Sequence, residues 1–348
     1  MTVAIRSYTS ADLPGVARLR ALLYQHPDDD QIDWYASVWN WLEEHPAGEL
    51  RRWVLADGDT IIGFLAAVPQ VYRIGGRKVV AYTPTDYMVH PNHGFHAIQL
   101  MRTFFQTCRD CVTCDSSVPV IKLQTWLGAE PAATLRHTAR LFDVSVLPQS
   151  LPGPLRYLLN GGMRVTDEIL TFRTRCGFKV DVFDSFDERF DRFFEKTAHV
   201  LPCLPVKDAA FLRWRYGPGS PHADTHILGI SDKHGLLGYA IQRVTVSRRD
   251  GYVLDLSILP GRQDVARELL RQAVRHFRRA GVSLIRYRFL ESPTSPQAPD
   301  VWRLGFFPRK RRHQLLVKFA DPALQELARN PENWAYNAGD GEMGFWVR

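Results

Sequence analysis

Apolar positions along the chain switch between a period of two and a period near 3.6, and the switches outline two rounds of the same order of elements. Residues 3–8 read as a short strand and 13–24 as a helix, with Ser10 or Asp12 placed to cap it. Residues 53–56, the turn Asp57-Gly58-Asp59 and residues 61–68 read as a hairpin. Gly75-Gly76 then turns the chain into 79–82, and Asp86 to Val89 lead to Pro91 and a helix. Its apolar positions Ala97, Ile98, Leu100, Met101, Phe104, Phe105 and Cys108 fall at helical spacing. A buried strand over 120–127 and a helix from Pro131 to about Phe142 complete the round.

The second round repeats that order. Residues 178–183 read as a strand and 187–198 as a helix; a hairpin follows around the turn at 232–235. Residues 252–258 form the next strand. After Pro260 a helix carries Val265, Ala266, Leu269, Leu270, Ala273, Val274 and Phe277, and a strand over 282–287 follows. Paired landmarks support duplication: Gly63 with Gly238, Pro91 with Pro260, and Leu141 with Leu304. The spacing drifts too much for a solenoid. Pro152-Gly153-Pro154 marks the break between rounds. The expected organisation is an N-terminal α/β domain over 1–150, a linker over 151–165 and a C-terminal α/β domain over 166–348, each a mixed central sheet flanked by helices.

Length and composition agree. A chain of 348 residues suits two domains, and 45% hydrophobic with 23% charged residues is the balance of a globular protein with a sizeable core. No apolar run is long enough to span a membrane, and the first residues lack a basic segment followed by an apolar run, so a cytoplasmic setting is expected. Charge is uneven. Residues 1–160 hold 14 Lys+Arg against 15 Asp+Glu, whereas the remainder holds 30 against 22, so an acidic partner would favour the second half.

The strand–turn–strand with Gly63, the stretch Asp86-Tyr87-Met88-Val89-His90-Pro91-Asn92-His93-Gly94 and the amphipathic helix after it resemble the GNAT acyltransferases. Asp208-Ala209-Ala210-Phe211-Leu212-Arg213-Trp214-Arg215-Tyr216 and the segment from Asn333 to Asp340 are similar to a bacterial group with two GNAT halves in tandem, associated with polysaccharide, lipid or natural-product pathways. The resemblance implies transfer of an acyl group from acetyl-CoA or a longer acyl-CoA, or from an acyl carrier protein, to an amine. Its physical basis is a strand that splays to free backbone groups for the pantetheine arm, and a helix N-terminus that faces the pyrophosphate. By that resemblance the first half is the better acyl-CoA site, with Met88, Val89, His93, Gly94, Phe95, His96 and Ala97 around the cofactor. The usual glycine-rich loop is degenerate here, because Gly94 alone is retained and His93, His96 and Ile98 replace the other signature positions. Asp86, Tyr87 and His137, the last placed on a helix, are the candidate catalytic groups, supplying a base and an acid for direct transfer. Asp208, Arg213, Trp214, Arg215, Trp334 and Asp340 are candidates for shaping the acceptor site.

Three further clusters have plainer readings. Cys108, Cys111 and Cys114 have metal-like spacing, but Val118 occupies the position of a fourth iron–sulfur ligand, so structural thiols and no metal are expected. His90, His93 and His96 suit phosphate contact or simple exposure. The run Arg309-Lys310-Arg311-Arg312 and the arginines of 267–279 lack a nucleic-acid recognition element, so they read as a solvated basic face or as attraction for an acidic substrate, a phosphorylated carrier or an anionic membrane. Two other functions fit the same halves: a non-catalytic scaffold, given the missing glycines, and an aminoacyl transferase of the Fem type, which lacks here its long helical arm. The oligomeric state is left open by the sequence.

Overall fold

A computed structural model of the chain describes residues 3–24, 29–147, 152–173 and 177–348. Strand β1 (Val3–Ser7) is followed by helices α1 (Leu13–Tyr24) and α2 (Asp29–Glu43), then by the antiparallel strands β2 (Arg51–Asp57), β3 (Thr60–Ile74) and β4 (Arg77–Val89). Helix α3 (Ala97–Thr107) crosses over to β5 (Cys111–Asp115), which lies parallel to β4. Next come α4 (Val118–Trp126), β6 (Glu130–Leu141) and α5 (Gly153–Arg173).

The same pairing then recurs. After β7 (Asp181–Phe183), α6 (Glu188–Ala198), β8 (Cys203–Pro205) and α7 (Ala209–Tyr216), strands β9 (His226–Asp232), β10 (Gly235–Val244) and β11 (Asp250–Ile258) run antiparallel. Helix α8 (Gln263–Arg279) crosses over to β12 (Leu284–Phe289), parallel to β11. The chain ends with α9 (Ala298–Arg303), β13 (Phe307–Pro308), β14 (His313–Lys318), α10 (Pro322–Ala328) and a tail of short turns.

The two rounds share one mixed sheet because their last long strands are exchanged. Strand β14 inserts between β5 and β6, and β6 pairs on its other edge with β12. Helix α3 packs Leu100, Met101, Phe104 and Phe105 on one face of the first round, while α1 and α2 cover the other through Val16, Leu19, Val38 and Leu42. Helix α8 buries Val265, Leu269, Leu270 and Phe277 against the second round. Gly63 and Gly238 are true counterparts. A Cβ on Gly63 would stand 2.9 Å from Leu100 of α3, and one on Gly238 2.9 Å from Val265 of α8. Each glycine lets the crossover helix approach the sheet closely.

Several expected elements differ. Residues 120–126 belong to helix α4, not a strand: Ser117 is the N-cap, Pro119 sits in the first turn, Leu127 is the C-cap, and only Gln124 of α4 is fully buried. Residues 131–142 are mainly strand β6, not a helix. Strands β14 and β12 supply hydrogen-bonding partners on both its edges, which overrides the helix propensity of its Ala, Leu and Arg residues. Leu141 is consequently not the counterpart of Leu304. Leu304-Gly305 caps α9 as Leu127-Gly128 caps α4, with both glycines at positive φ. At the start of the chain the cap is Thr9, which forms a capping box with Asp12, rather than Ser10 or Asp12 itself. Part of the segment read as a linker, from Gly153 onward, is the start of helix α5; residue 151 lies outside the described residues. Among the described residues no helix is long and apolar enough to cross a membrane.

Candidate functional site

Strands β4 and β5 pair at a single position, Tyr82 with Cys111, and the side chain of Thr83 then donates to the Val112 carbonyl at 2.7 Å. Beyond this point the strands part. Among the described residues β4 and β5 make no further ladder pair past this point, an opening that an amide-rich ligand can enter. Thr85, inside this stretch, is fully buried and its hydroxyl has no hydrogen-bond partner among the described residues.

A β-bulge lies in the parted segment of β4. Phe64 pairs with Met88 and Ala66 with Thr85, so Asp86 and Tyr87 together oppose Leu65. Asp86 takes up φ 55°, a left-handed conformation uncommon outside glycine. Its buried carboxylate accepts hydrogen bonds from the Arg20 guanidinium of α1 and the Tyr35 hydroxyl of α2. Burial raises the pKa of this carboxyl against the opposing effect of Arg20. Its backbone N–H donates at 2.9 Å to the carboxylate of Glu342, which comes from the C-terminal tail.

Glu342 was invisible to sequence patterning and is the least committed carboxylate here. Its surroundings push its pKa up to about 8, through burial first and then through the charges of Asp115 and Asp86. Around it lie Asp115 at the end of β5 and the half-exposed Tyr24, whose phenol is pushed up to about 12, mainly by burial. Next to Glu342, Met343 accepts from Arg288 through its sulfur at 2.6 Å.

The second round carries the same constellation in a closed form. Asp86 stands five residues before Pro91, and Asp255 five before Pro260. Asp255 also follows a register shift, at Leu254 in β11. Strands β11 and β12 pair as far as Val253 with Tyr287 and then part, but here the C-terminal tail fills the gap. Asn337 bridges to Phe289 and donates to Asp255 at 3.0 Å; Lys207 bonds Asp255 at 2.8 Å and reaches Asp340 at 3.4 Å. Gly339 lies against the main chain of Leu254, where a Cβ would stand 3.0 Å from its carbonyl oxygen. Asp340, raised to about 6 chiefly by burial, belongs to this plug. Two residues of one tail therefore reach two equivalent bulges, Asp340 in the second round and Glu342 in the first.

The remaining sequence candidates fall in varied places. Tyr87 donates to the Ala97 carbonyl at 2.6 Å, tying β4 to the start of α3. Met88 is buried in the core, with Val89 beside it at the strand end. His93, Gly94, Phe95 and His96 form a short 3-10 turn ahead of α3, with Phe95 92% exposed and open space around Gly94. His137 lies on strand β6, not on a helix, because β6 is the strand shared by both rounds. There its Nε2 accepts from Arg288 at 3.3 Å, and burial with the nearby Arg288 charge lowers its pKa to about 4, which keeps it neutral.

Asp208 caps α7 by accepting from Phe211 N–H, and Arg213 donates to the Phe186 carbonyl. Trp214 stacks on Trp41 at 4.3 Å, joining α7 to α2, and buried Arg215 donates to the Gly339 carbonyl at 3.0 Å. Trp334 is completely buried, its indole donating to the Ala328 carbonyl. Cys111 and Cys114 point to opposite faces of β5 and enter different cores, and among the described residues no group of His, Cys, Asp and Glu is arranged to hold a metal.

This geometry is that of a GNAT fold, and residues 4–113 match the family described as acetyltransferase (GNAT) domain. No curated protein matches the chain in sequence. Solved structures share its fold at low identity. A GCN5-related N-acetyltransferase from Anabaena variabilis is 13% identical with a TM-score of 0.58, over 94% of this chain and 75% of its own. The N-myristoyltransferase of Saccharomyces cerevisiae with bound myristoyl-CoA is 11% identical with a TM-score of 0.60, over 95% and 85%. A probable N-acyltransferase from Enterococcus faecalis is 9% identical with a TM-score of 0.54, over 94% and 74%.

Proposed function

We propose that the protein is an N-acyltransferase that holds an acyl-CoA in the opening between β4 and β5 and passes the acyl group to an amine, with Glu342 as the base. The observation that carries this reading is the pairing of Glu342 with the bulged Asp86 beside an opening that no described strand crosses. The equivalent opening in the second round is filled by residues 337–340, which favours the first round for the cofactor and the second for shaping the acceptor side.

The unpaired main chain of β4 and the orphaned Thr85 hydroxyl fit the pantetheine amides, and the start of α3 with His93 and His96 fits the pyrophosphate. Bound there, an acyl-CoA supplies an activated carbonyl. Glu342 takes the proton from the acceptor amine as the nitrogen attacks. Tyr24, protonated at neutral pH and near Asp86 and Glu342, donates a proton to the departing sulfur in this reading. Asp86 positions Glu342 through its backbone, held in turn by Arg20 and Tyr35. The acidic surroundings of Glu342, Asp86 and Asp115 favour a cationic amine over an anionic acceptor. Polysaccharide, lipid and natural-product amines all meet that requirement.

Melting temperature with acetyl-CoA, a long-chain acyl-CoA and free CoA tests the reading, because binding to the folded state alone raises it by mass action. A rise with one of the thioesters is expected, and the chain length that gives the larger rise names the donor. A protein unmoved by every thioester and by CoA would instead be a binding protein, or one served by an acyl carrier protein.

A further inference from the structure

Helix α5 shows an apolar stripe that the described residues leave exposed. Leu155, Leu158, Val165 and Ile169, with Gly162 between them, follow alternating steps of three and four residues, and Leu159 flanks the line. All five side chains are exposed, by 42–69%. The helix is attached through another face: Asn160 bonds the main chain of Val144 and the side chain of Asp143, and Met163 is half-buried. Two adjacent glycines, Gly161 and Gly162, each cost a helix about 1 kcal/mol relative to alanine. Such a helix gains its order from packing an amphipathic face, yet the larger apolar face is open.

The surface beside it continues the pattern. Leu170 lies against Gly305, where a Cβ would stand 3.6 Å from its Cδ1, and Gly305 is bracketed by exposed Trp302 and Phe307. Phe307 leads directly into the exposed run Arg309-Lys310-Arg311-Arg312, and Arg156 and Arg164 of α5 are also exposed. An acidic residue of the helix, Glu168, is answered by Arg278 at 3.0 Å.

We propose that α5, with Trp302, Phe307 and the basic run, docks the protein in the plane of an anionic lipid surface. The stripe covers about 21 Å of helix at 1.5 Å per residue, enough for several turns to lie in the headgroup layer. Exposed aromatics and a basic flank complete the composition of an interfacial helix. Contiguous exposed apolar surface of this kind marks an interaction site in a globular protein. Charge complementarity selects the occupant: a second copy would bring two basic surfaces together, whereas an anionic bilayer answers both the stripe and the charge. The proposal does not depend on the acyl-transfer reading: its test reads vesicle binding and leaves in place Glu342, Asp86 and Arg311, which donates to Ser116 beside the end of β5 at 2.8 Å.

The test is sedimentation of the full chain with vesicles of phosphatidylcholine alone and with phosphatidylcholine carrying phosphatidylserine. Binding to the anionic vesicles only, weakened by salt, is expected. Leu158→Asp with Val165→Asp should lower that binding at least tenfold, with the milder pair Leu158→Ser and Val165→Ser as a check against misfolding. Arg309→Ala with Lys310→Ala should lower it about fivefold per charge. The proposal fails if anionic vesicles are not bound or if the aspartate pair binds them as well as the parent. It also fails if the protein sediments as a dimer that the same pair dissociates, which would assign the stripe to a second copy.

Discussion

The backbone N–H of Asp86 donates at 2.9 Å to the side chain of Glu342, a residue 256 positions further along the chain. One partner is fixed by a strained bulge and buried bonds to Arg20 and Tyr35; the other is a carboxyl pushed up to about 8. This contact brings the C-terminal tail onto strand β4 of the first round.

If Glu342 is the base, kcat/KM should rise about tenfold per pH unit below pH 8 and level off above it. Glu342→Gln should lower kcat by about 10²–10⁴-fold and flatten that rise, while the melting-temperature response to acyl-CoA stays. Stability carries the same signature. The folded carboxyl binds its proton more tightly than the unfolded one, so the parent loses stability as pH climbs from the ordinary glutamate range towards 8. Melting curves of Glu342→Gln should lack that component.

Asp86→Ala would leave Arg20 without its buried partner and free the Tyr35 hydroxyl. Removing one member of a buried pair costs about 3–5 kcal/mol. Denaturant unfolding should show a loss of that size, and Arg20→Ala combined with Asp86→Ala should cost less than the sum of the two, because each single change leaves the other charge stranded.

Lys207 neutralises two carboxylates, Asp255 and Asp340, in the plugged opening of the second round. Lys207→Met leaves them facing each other and should destabilise the protein by about 3–5 kcal/mol. The deficit should grow with pH: the Asp340 carboxyl is already raised to about 6, and protonation at low pH relieves the repulsion that ionisation restores. Melting at pH 5 and pH 8 checks the sign.

Gly63→Ala and Gly238→Ala each drive a methyl into the crossover helix at 2.9 Å. Overpacking of this kind costs about 1–3 kcal/mol, and unfolding by urea should register it in both variants. A large cost for one and none for the other would mean that the two helices are not seated alike.

What the sequence disclosed follows from how local the cause was. The hairpin turn at Asp57–Asp59, the amphipathic helices α3 and α8 and the close-approach glycines are short-range features and could be read directly. Strand β6 and helix α4 were exchanged in the reading because β6 owes its form to β14 and β12, which lie more than 140 residues downstream. Asp86 was within reach, but its neighbours Arg20, Tyr35 and Glu342 come from three separate parts of the chain. Two signals went unread. One is the repeated aspartate five residues before proline, at Asp86 and Asp255. The other is the tail Gly339-Asp340-Gly341-Glu342-Met343-Gly344, whose glycines admit the close contacts of Tyr216, Tyr336 and Arg215.

The exchanged strand β14 also sets an order of events at the ribosome. The sheet of the first round is open between β5 and β6 until residues 313–318 have been made, and Glu342 follows later still. A nascent chain stalled short of that point would hold an unpaired strand edge and lack the carboxyl that meets Asp86. Residues 313–342 therefore act as a completeness check on the fold of the first round.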